Sequence, residues 1–413
     1  MRRLAYLCIA LGSFAASHLQ AATRPRYGGA LRVQVISMFT NPEALPLVSE
    51  TLVRFDEHGE PRPGLARGWQ SDAAKKRWTF IVRTKVALPS RIARVLRPVL
   101  KKQYSDVAVT SNMQSVIIQS EKPMPDLLAR LAHPETGIPG TGPFQVTLWE
   151  PGRRAVLTAN EGYPGGRPFV DTIEFTVATQ RTYQLGAADI WELPVGISRR
   201  SIPEWMRVWT SAPLDLIALN VVNAESGLRD ALSFSIDRAA IVNVLTQRRG
   251  EVALGLLPQW LTGYEFLFPA AYDVTHARQA ASSLKGRTFT LSAPPVDTLG
   301  RSVADRIAVN VRDAGLTLLP PQTATADVQL LHIRLDCAGA DRALREIAAG
   351  MDLGDLTTPE ALYIAEKNVL EKTRLIPVIH VPRVFGIGPR VHSVAGLPAC
   401  GVLNEIPNLW LTP

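Results

Sequence analysis

The apolar residues of this chain repeat every second position in its first half and about every 3.6 positions in its second, and no single kind of element satisfies both periods. Ala30-Leu31-Arg32-Val33-Gln34-Val35 and Trp78-Thr79-Phe80-Ile81-Val82-Arg83 alternate as half-buried strands do, the first entered from the flexible pair Gly28-Gly29. Later, Leu228, Ala231, Leu232, Ser235 and Ile236 fall on one helix face. Asp237 is placed to cap a following helix carrying Ile241, Val244 and Leu245, with Arg248-Arg249 near its negative end and Gly250 ending it. Val303, Ile307 and Val311 recur every four residues up to Gly315, and a short strand follows over Leu316 to Leu319. Thr358-Pro359 opens another helix, with Leu362, Ala365, Val369 and Lys372 behind it. A strand-rich first half and a second half that alternates helices with strands define an α/β chain.

With 413 residues, 46% of them hydrophobic and 20% charged, the chain is long enough for two or three domains and too apolar for wholesale disorder. No internal repeat, low-complexity tract or long Ser/Gly linker divides it. Close crossovers between two lobes therefore suit it better than tethered beads.

Met1-Arg2-Arg3, the apolar run Leu4 to Ala16 and the small residues Ala21-Ala22 have the make-up of a secretory signal peptide, and the run is too short for an anchoring helix. Cleavage there would lower the formal net charge from +8 to about +6. The remaining basic clusters, Lys75-Lys76-Arg77, Arg199-Arg200 and Arg248-Arg249, are short and scattered and accompany no nucleic-acid-binding motif, so no nucleic-acid partner is expected. Loss of Cys8 would leave Cys337 and Cys400, which either form one disulfide or stand as separate buried thiols.

Motifs for catalysis are missing: His-Glu-x-x-His, Cys-x-x-Cys and Gly-x-Ser-x-Gly do not occur, and neither an enzymatic activity nor a cofactor is expected. Asp56-Glu57-His58-Gly59-Glu60 has metal-ligating residue types, yet its place between apolar runs marks a solvated hairpin turn, and no metal site is assigned. Gly140-Thr141-Gly142 invites comparison with a phosphate cradle. Such a cradle needs consecutive N–H donors and commonly a Lys, whereas Pro143 removes a donor and no Lys follows. The stretch reads instead as a turn feeding a hairpin over Phe144 to Leu157.

That hairpin, GTGPFQVTLWEPGRRAVLTANEGYPGGRPFVDTIEF, resembles a segment of the family 5 extracellular solute-binding proteins of ABC transporters, the group with oligopeptide-, dipeptide- and nickel-binding members. The likeness continues collinearly through YGGALRV, ETLVRFDEHGEPRPGLARGW with WTFIVR, LRDALSFSIDRAAIV and EKNVLEKTRLIPVIHV. It implies a two-lobed, type II periplasmic-binding-protein-like α/β fold with mixed sheets and a hinge. The implied layout is a signal peptide over 1–22, a strand-rich lobe I over 23–215, an α/β lobe II over 216–378 and a return to lobe I over 379–413. It further implies a periplasmic or otherwise extracytoplasmic monomer that captures a small molecule or peptide and serves a membrane permease. The chain departs from the family where Val86-Ala87-Leu88-Pro89-Ser90 leads directly into a basic helix, and it is shortened elsewhere.

Peptide-binding members carry a Gly-Trp-x-Ala-Asp segment whose aspartate meets the ligand's amino group. Asp336 has the corresponding spacing here, although Ile333 replaces the tryptophan and the glycine is missing. Asp336 is thus either a ligand contact or a partner of Arg334 or cap of the helix that follows. Trp191, Met38 and Phe39 are further candidates for the cleft, Trp191 having packing as its other reading. Two other functions stay open: a degenerate binding fold serving as an envelope sensor or scaffold, and an envelope enzyme using Asp336 or Asp341 with His380, for which no motif speaks.

Overall fold

Strands that are apolar on both faces belong inside a sheet covered on both sides. Two such runs, Asp215–Val221 and Leu375–Val381, lie side by side and antiparallel at the centre of the second half. The computed structural model describes residues 24–413 except 37–44, 46, 56–59, 103, 178–183, 270–271, 285, 295–296, 324, 336–338, 352, 355, 357 and 394–405. The expected signal peptide, the Asp56 to Gly59 turn, Cys337 and Cys400 fall outside the described residues.

The first large sheet has seven strands, in the order Phe144–Glu150, Arg154–Ala159, Thr172–Val177, Ala30–Val35, Ile190–Leu193, Val384–Ile387 and Arg207–Thr210. Ala30–Val35 runs parallel to both of its neighbours, and its register sets Leu31 against Ile173 and Val33 against Phe175. All four side chains are fully buried, which is the outcome expected of a period-two pattern with one face on a core. A separate four-stranded antiparallel sheet, built from Ala66–Ser71, Arg77–Val82, Ser115–Gln119 and Ala108–Ser111, is covered by the helix Pro89–Lys101. Trp78, Phe80 and Val82 pack there against Ile92, Leu96 and Leu100.

The second large sheet has six strands: Glu251–Val252, Leu375–Val381, Asp215–Val221, Val328–Ile333, Thr288–Ser292 and Thr317–Leu319. Helices flank it. Leu228–Ser235 buries Leu228, Ala231, Leu232 and Ser235 as the spacing requires. The helix Arg238–Leu245 is capped by Asp237, whose Oδ1 accepts the N–H of Ala240 at 2.9 Å. This helix buries Ile241 and Val242 and leaves Val244 70% exposed, so the expected inward role of Val244 is corrected. It also ends at Leu245, well before Gly250, which lies against the carbonyl of His380 where the chain enters Glu251–Val252. Thr298–Asn310 and the 3-10 turn Val311–Ala314 carry the buried row Val303, Ile307 and Val311 to Gly315. Thr358 caps Pro359–Thr373 by accepting the N–H of Ala361 at 3.2 Å. Among the described residues no helix is long and apolar enough to cross a membrane.

The chain passes from the seven-stranded to the six-stranded sheet between Thr210 and Asp215, and returns between Val381 and Val384. These two passages touch. The N–H of Ser211 bonds the carbonyl of Arg383 at 2.9 Å, the N–H of Arg383 bonds Oγ of Ser211 at 2.8 Å, and the N–H of Leu214 bonds the carbonyl of Val381 at 3.2 Å.

The glycine-rich turn ahead of Phe144 is structural. The N–H groups of Gly140 and Gly142 both bond the carbonyl of Val48, at 3.0 and 2.9 Å, and are not available to an anion. A Cβ on Gly142 would stand 2.6 to 2.9 Å from the backbone of Leu47 and Val48. We therefore expect Gly142→Ala to destabilise the protein by about 2 kcal/mol through forced displacement of these backbone segments, read as a lower urea midpoint with an unchanged slope.

Candidate functional site

A cleft of about 660 Å³ opens where the two large sheets meet, beside the paired passages. From the seven-stranded side it is lined by Glu192, Leu193 and the loop 194–198, and from the six-stranded side by Asp297, Thr298, His332 and Arg334. Asp215, Val381, Pro382 and Arg383 form its base. The alternation of strand side chains explains the selection: His332 lies near the end of the strand Val328–Ile333 and Arg334 directly follows it, two residues on, and both line the cleft.

Three carboxylates stand in this wall, and each is bound by the protein itself. Asp215 receives Nε of Arg383 at 2.9 Å and Nη2 at 2.7 Å, a two-pronged pair, and its Oδ1 also accepts the N–H of Leu335 at 3.2 Å. Glu192 accepts Nη2 of Arg334 at 2.7 Å on one oxygen and the N–H of Ile36 at 2.8 Å on the other, so this pair joins residues of the two large sheets' ends. Asp297 caps the helix Thr298–Asn310 through the N–H of Gly300 at 2.9 Å and takes the Nδ1–H of His332 at 2.8 Å. Burial pushes the Asp297 carboxyl up, but the hydrogen bonds from His332 and Gly300 outweigh it and hold the group below the usual carboxylate range.

The loop after Ile190–Leu193 is pinned to the other half. Nη1 of Arg249 donates to the carbonyls of Val195 and Ile197, both at 2.7 Å, and Nε2 of Gln247 donates to that of Gly196 at 3.1 Å. Gly196 lies so close to the carbonyl of Leu245 that a Cβ would come within 2.2 Å.

Of the residues singled out from the sequence, Trp191 is buried behind this wall, against Trp205 at a ring separation of 5.5 Å and near Met206 and Val384. Its neighbour Glu192 is the one that reaches the cleft. Met38, Phe39 and Asp336 lie outside the described residues; Ile36 and Arg334, the neighbouring positions that are described, both line the cleft. His380, which an enzymatic reading would use, is fully buried and faces Glu265 at 3.5 Å instead of the cleft. Asp341 sits in the first turn of the helix Ala340–Ile347. Among the described residues no group of three or more His, Cys, Asp or Glu is arranged to hold a metal. Glu192, Asp215, Asp297, His332 and Arg383 were not indicated by any local pattern; the pairing of Arg334 considered from the sequence was with Asp336, and its observed partner is Glu192.

A two-lobed, mixed α/β architecture with a cleft at the junction of its sheets is that of the periplasmic binding proteins. The chain belongs to the bacterial extracellular solute-binding proteins, family 5, whose middle region matches residues 93–320. It is 30% identical over 178 residues to the oligopeptide-binding protein AppA of Bacillus subtilis (strain 168), a match spanning 40% of this chain and 32% of that protein. It is 25% identical over 188 residues to the dipeptide-binding protein of Escherichia coli (strain K12), spanning 41% and 35% respectively. The matches thus cover about a third of these relatives' length. Solved structures agree in fold over nearly the whole chain. The periplasmic binding protein DppA of Helicobacter pylori in complex with the peptide STSA has a TM-score of 0.78 at 16% identity, covering 94% of this chain and 99% of that one. NikA of Staphylococcus aureus in complex with Ni(L-His)2 gives 0.75 at 13% identity, covering 90% and 97%. MoaA of A. tumefaciens R10 in complex with mannopinic acid gives 0.75 at 18% identity, covering 94% and 100%.

Two expectations follow from the buried charges. Arg383→Met would leave the Asp215 carboxylate buried without its counter-ion at the passages between the sheets, and should lower unfolding free energy by about 3 kcal/mol in urea titrations. Away from the cleft, burial pushes Glu366 up to about 7, against the hydrogen bonds it accepts from Tyr264 and from the N–H groups of Leu257 and Leu256. Its ordinary value is 4.5, so the folded protein holds this proton more tightly than the unfolded chain does. The resulting stabilisation is fully present below pH 4.5 and is lost as pH rises through about 7. Stability should therefore fall between these limits by up to roughly 3 kcal/mol from this group, and Glu366→Gln should flatten that part of a stability-versus-pH curve.

Proposed function

We propose that this chain is the solute-capturing component of an ABC import system, working outside the cytoplasm and handing a small solute of peptide size to a membrane permease. The observation that carries this reading is the cleft itself, whose walls come from both large sheets and whose base is the pair of touching passages. Movement confined to those passages would close one half on the other and remove the solute from water, so that a few oriented polar groups and apolar contact supply the affinity. Membership of the family supports the assignment, and the structural relatives described with bound peptide, nickel–histidine and mannopinic acid show how varied the cargo of one fold is.

In this reading the exported chain is a monomer, with residues 1–22 removed, one lobe formed by 23–215 with 379–413 and the other by 216–378. Asp336 meets the amino group of the solute, Met38 and Phe39 approach it from the first lobe, and Trp191 backs that side from the core, where it packs against Trp205.

Native mass spectrometry of the protein purified without denaturation is expected to show an adduct of a few hundred daltons. Small-angle X-ray scattering is expected to show a smaller radius of gyration on adding whichever of a panel of peptides, metal chelates and sugars raises the melting temperature. A panel that shifts neither melting temperature nor radius would overturn the proposal.

A further inference from the structure

Resting on the binding role just proposed, the charges lining the cleft narrow the chemistry of what it can take. Every carboxylate among its described lining residues is already saturated: Glu192 by Arg334 and Ile36, Asp215 by Arg383 and Leu335, Asp297 by His332 and Gly300. Their side chains are also withdrawn from water, at 6, 4 and 16% exposure. A solute carrying only positive charge would find no free anion among these groups, and displacing an internal cation would leave a buried carboxylate unpaired.

The donors are not used up. The Arg334 side chain is 43% exposed, lines the cleft, and spends only Nη2 on Glu192. A guanidinium presents five N–H groups in a fixed plane and Nη2 carries two of them, so with one given to Glu192 a second edge, Nε with Nη2 or Nη1 with Nη2, keeps both N–H groups for the two oxygens of a carboxylate. Ser198 and Ser201 line the surrounding walls as well, whereas the Ser302 hydroxyl is spent on the carbonyl of Thr298 at 3.0 Å.

We infer that the cleft takes a solute bearing a carboxylate, that this carboxylate is held by Arg334, and that Glu192 is a positioning residue which aims the guanidinium and opposes the incoming negative charge. Arg334 is then a specificity-determining residue, and the Glu192–Arg334 pair sets how strongly acids are preferred. A role confined to bridging the two halves predicts something else, because breaking a bridge from either end alters affinity for all solutes in the same direction.

The test uses isothermal titration of the full mature chain with dipeptides having free or amidated C termini, small mono- and dicarboxylic acids, neutral sugars, polyamines and nickel–histidine. Free acids are expected to bind at least tenfold more tightly than their amides. Arg334→Gln should weaken acids roughly 10- to 100-fold and leave amides within about twofold, Arg334→Lys should recover part of the loss, and Glu192→Gln should tighten acids several-fold. Melting curves of each variant show that it is folded. Preferential binding of amides, sugars or cations, or parallel effects of Arg334→Gln and Glu192→Gln on every probe, would overturn the carboxylate inference while leaving the binding role standing. Binding of none of the probes would overturn both.

Discussion

The Asp215–Arg383 pair holds together the two places where the chain passes between its large sheets. One partner ends the outward passage and the other forms the return, 168 positions later, and the guanidinium fits the carboxylate by two parallel bonds at 2.9 and 2.7 Å. Asp215 is buried, so its charge is tolerable only while Arg383 is present, and neither passage can shift independently of the other without exposing that debt of solvation. The backbone bonds of Ser211 and Leu214 to the return segment reinforce the same coupling. Two separate strands of chain thereby act as one joint. The proposed closing motion needs such a joint, since independent passages would let the halves slide as well as rotate.

Around this joint the cleft inherits its electrostatics. Acidic side chains are abundant in its wall, yet each is hydrogen-bonded from within by a neighbour held on a different element, while Arg334 keeps part of its guanidinium unspent. Composition alone would suggest the opposite, because Glu192, Asp215 and Asp297 outnumber the exposed cation Arg334. Which groups are spent and which are available depends on pairings across 142, 168 and 35 positions of sequence.

Local features were legible wherever a short segment carries its own physical reason. The caps at Asp237 and Thr358 act as their side-chain oxygens require, and the row Val303, Ile307 and Val311 is buried to the Gly315 turn. The turn at Gly140 to Pro143 is structural because its donors are satisfied by Val48, in line with the missing donor at Pro143. Reading failed where burial was decided by the neighbour and not by spacing. Val244 sits at a helical interval from Ile241, but the helix Arg238–Leu245 turns Val242 inward and leaves Val244 in water. Gly250 looked like a helix stop, and its small size serves instead a close approach to the backbone of His380.

By itself the sequence determined the two periodicities, the positions of caps and turns, and hence an α/β chain with the collinear marks of a solute-binding family, because each of these depends on residues within one or two turns of one another. Only the tertiary structure decided that His380 is interior, that Trp191 stands behind the wall while Glu192 enters it, and that Arg334 answers Glu192 with part of its guanidinium to spare. Pairing of charges is a property of distance in space, and distance in space between remote segments is set by how whole sheets meet, which no local pattern encodes.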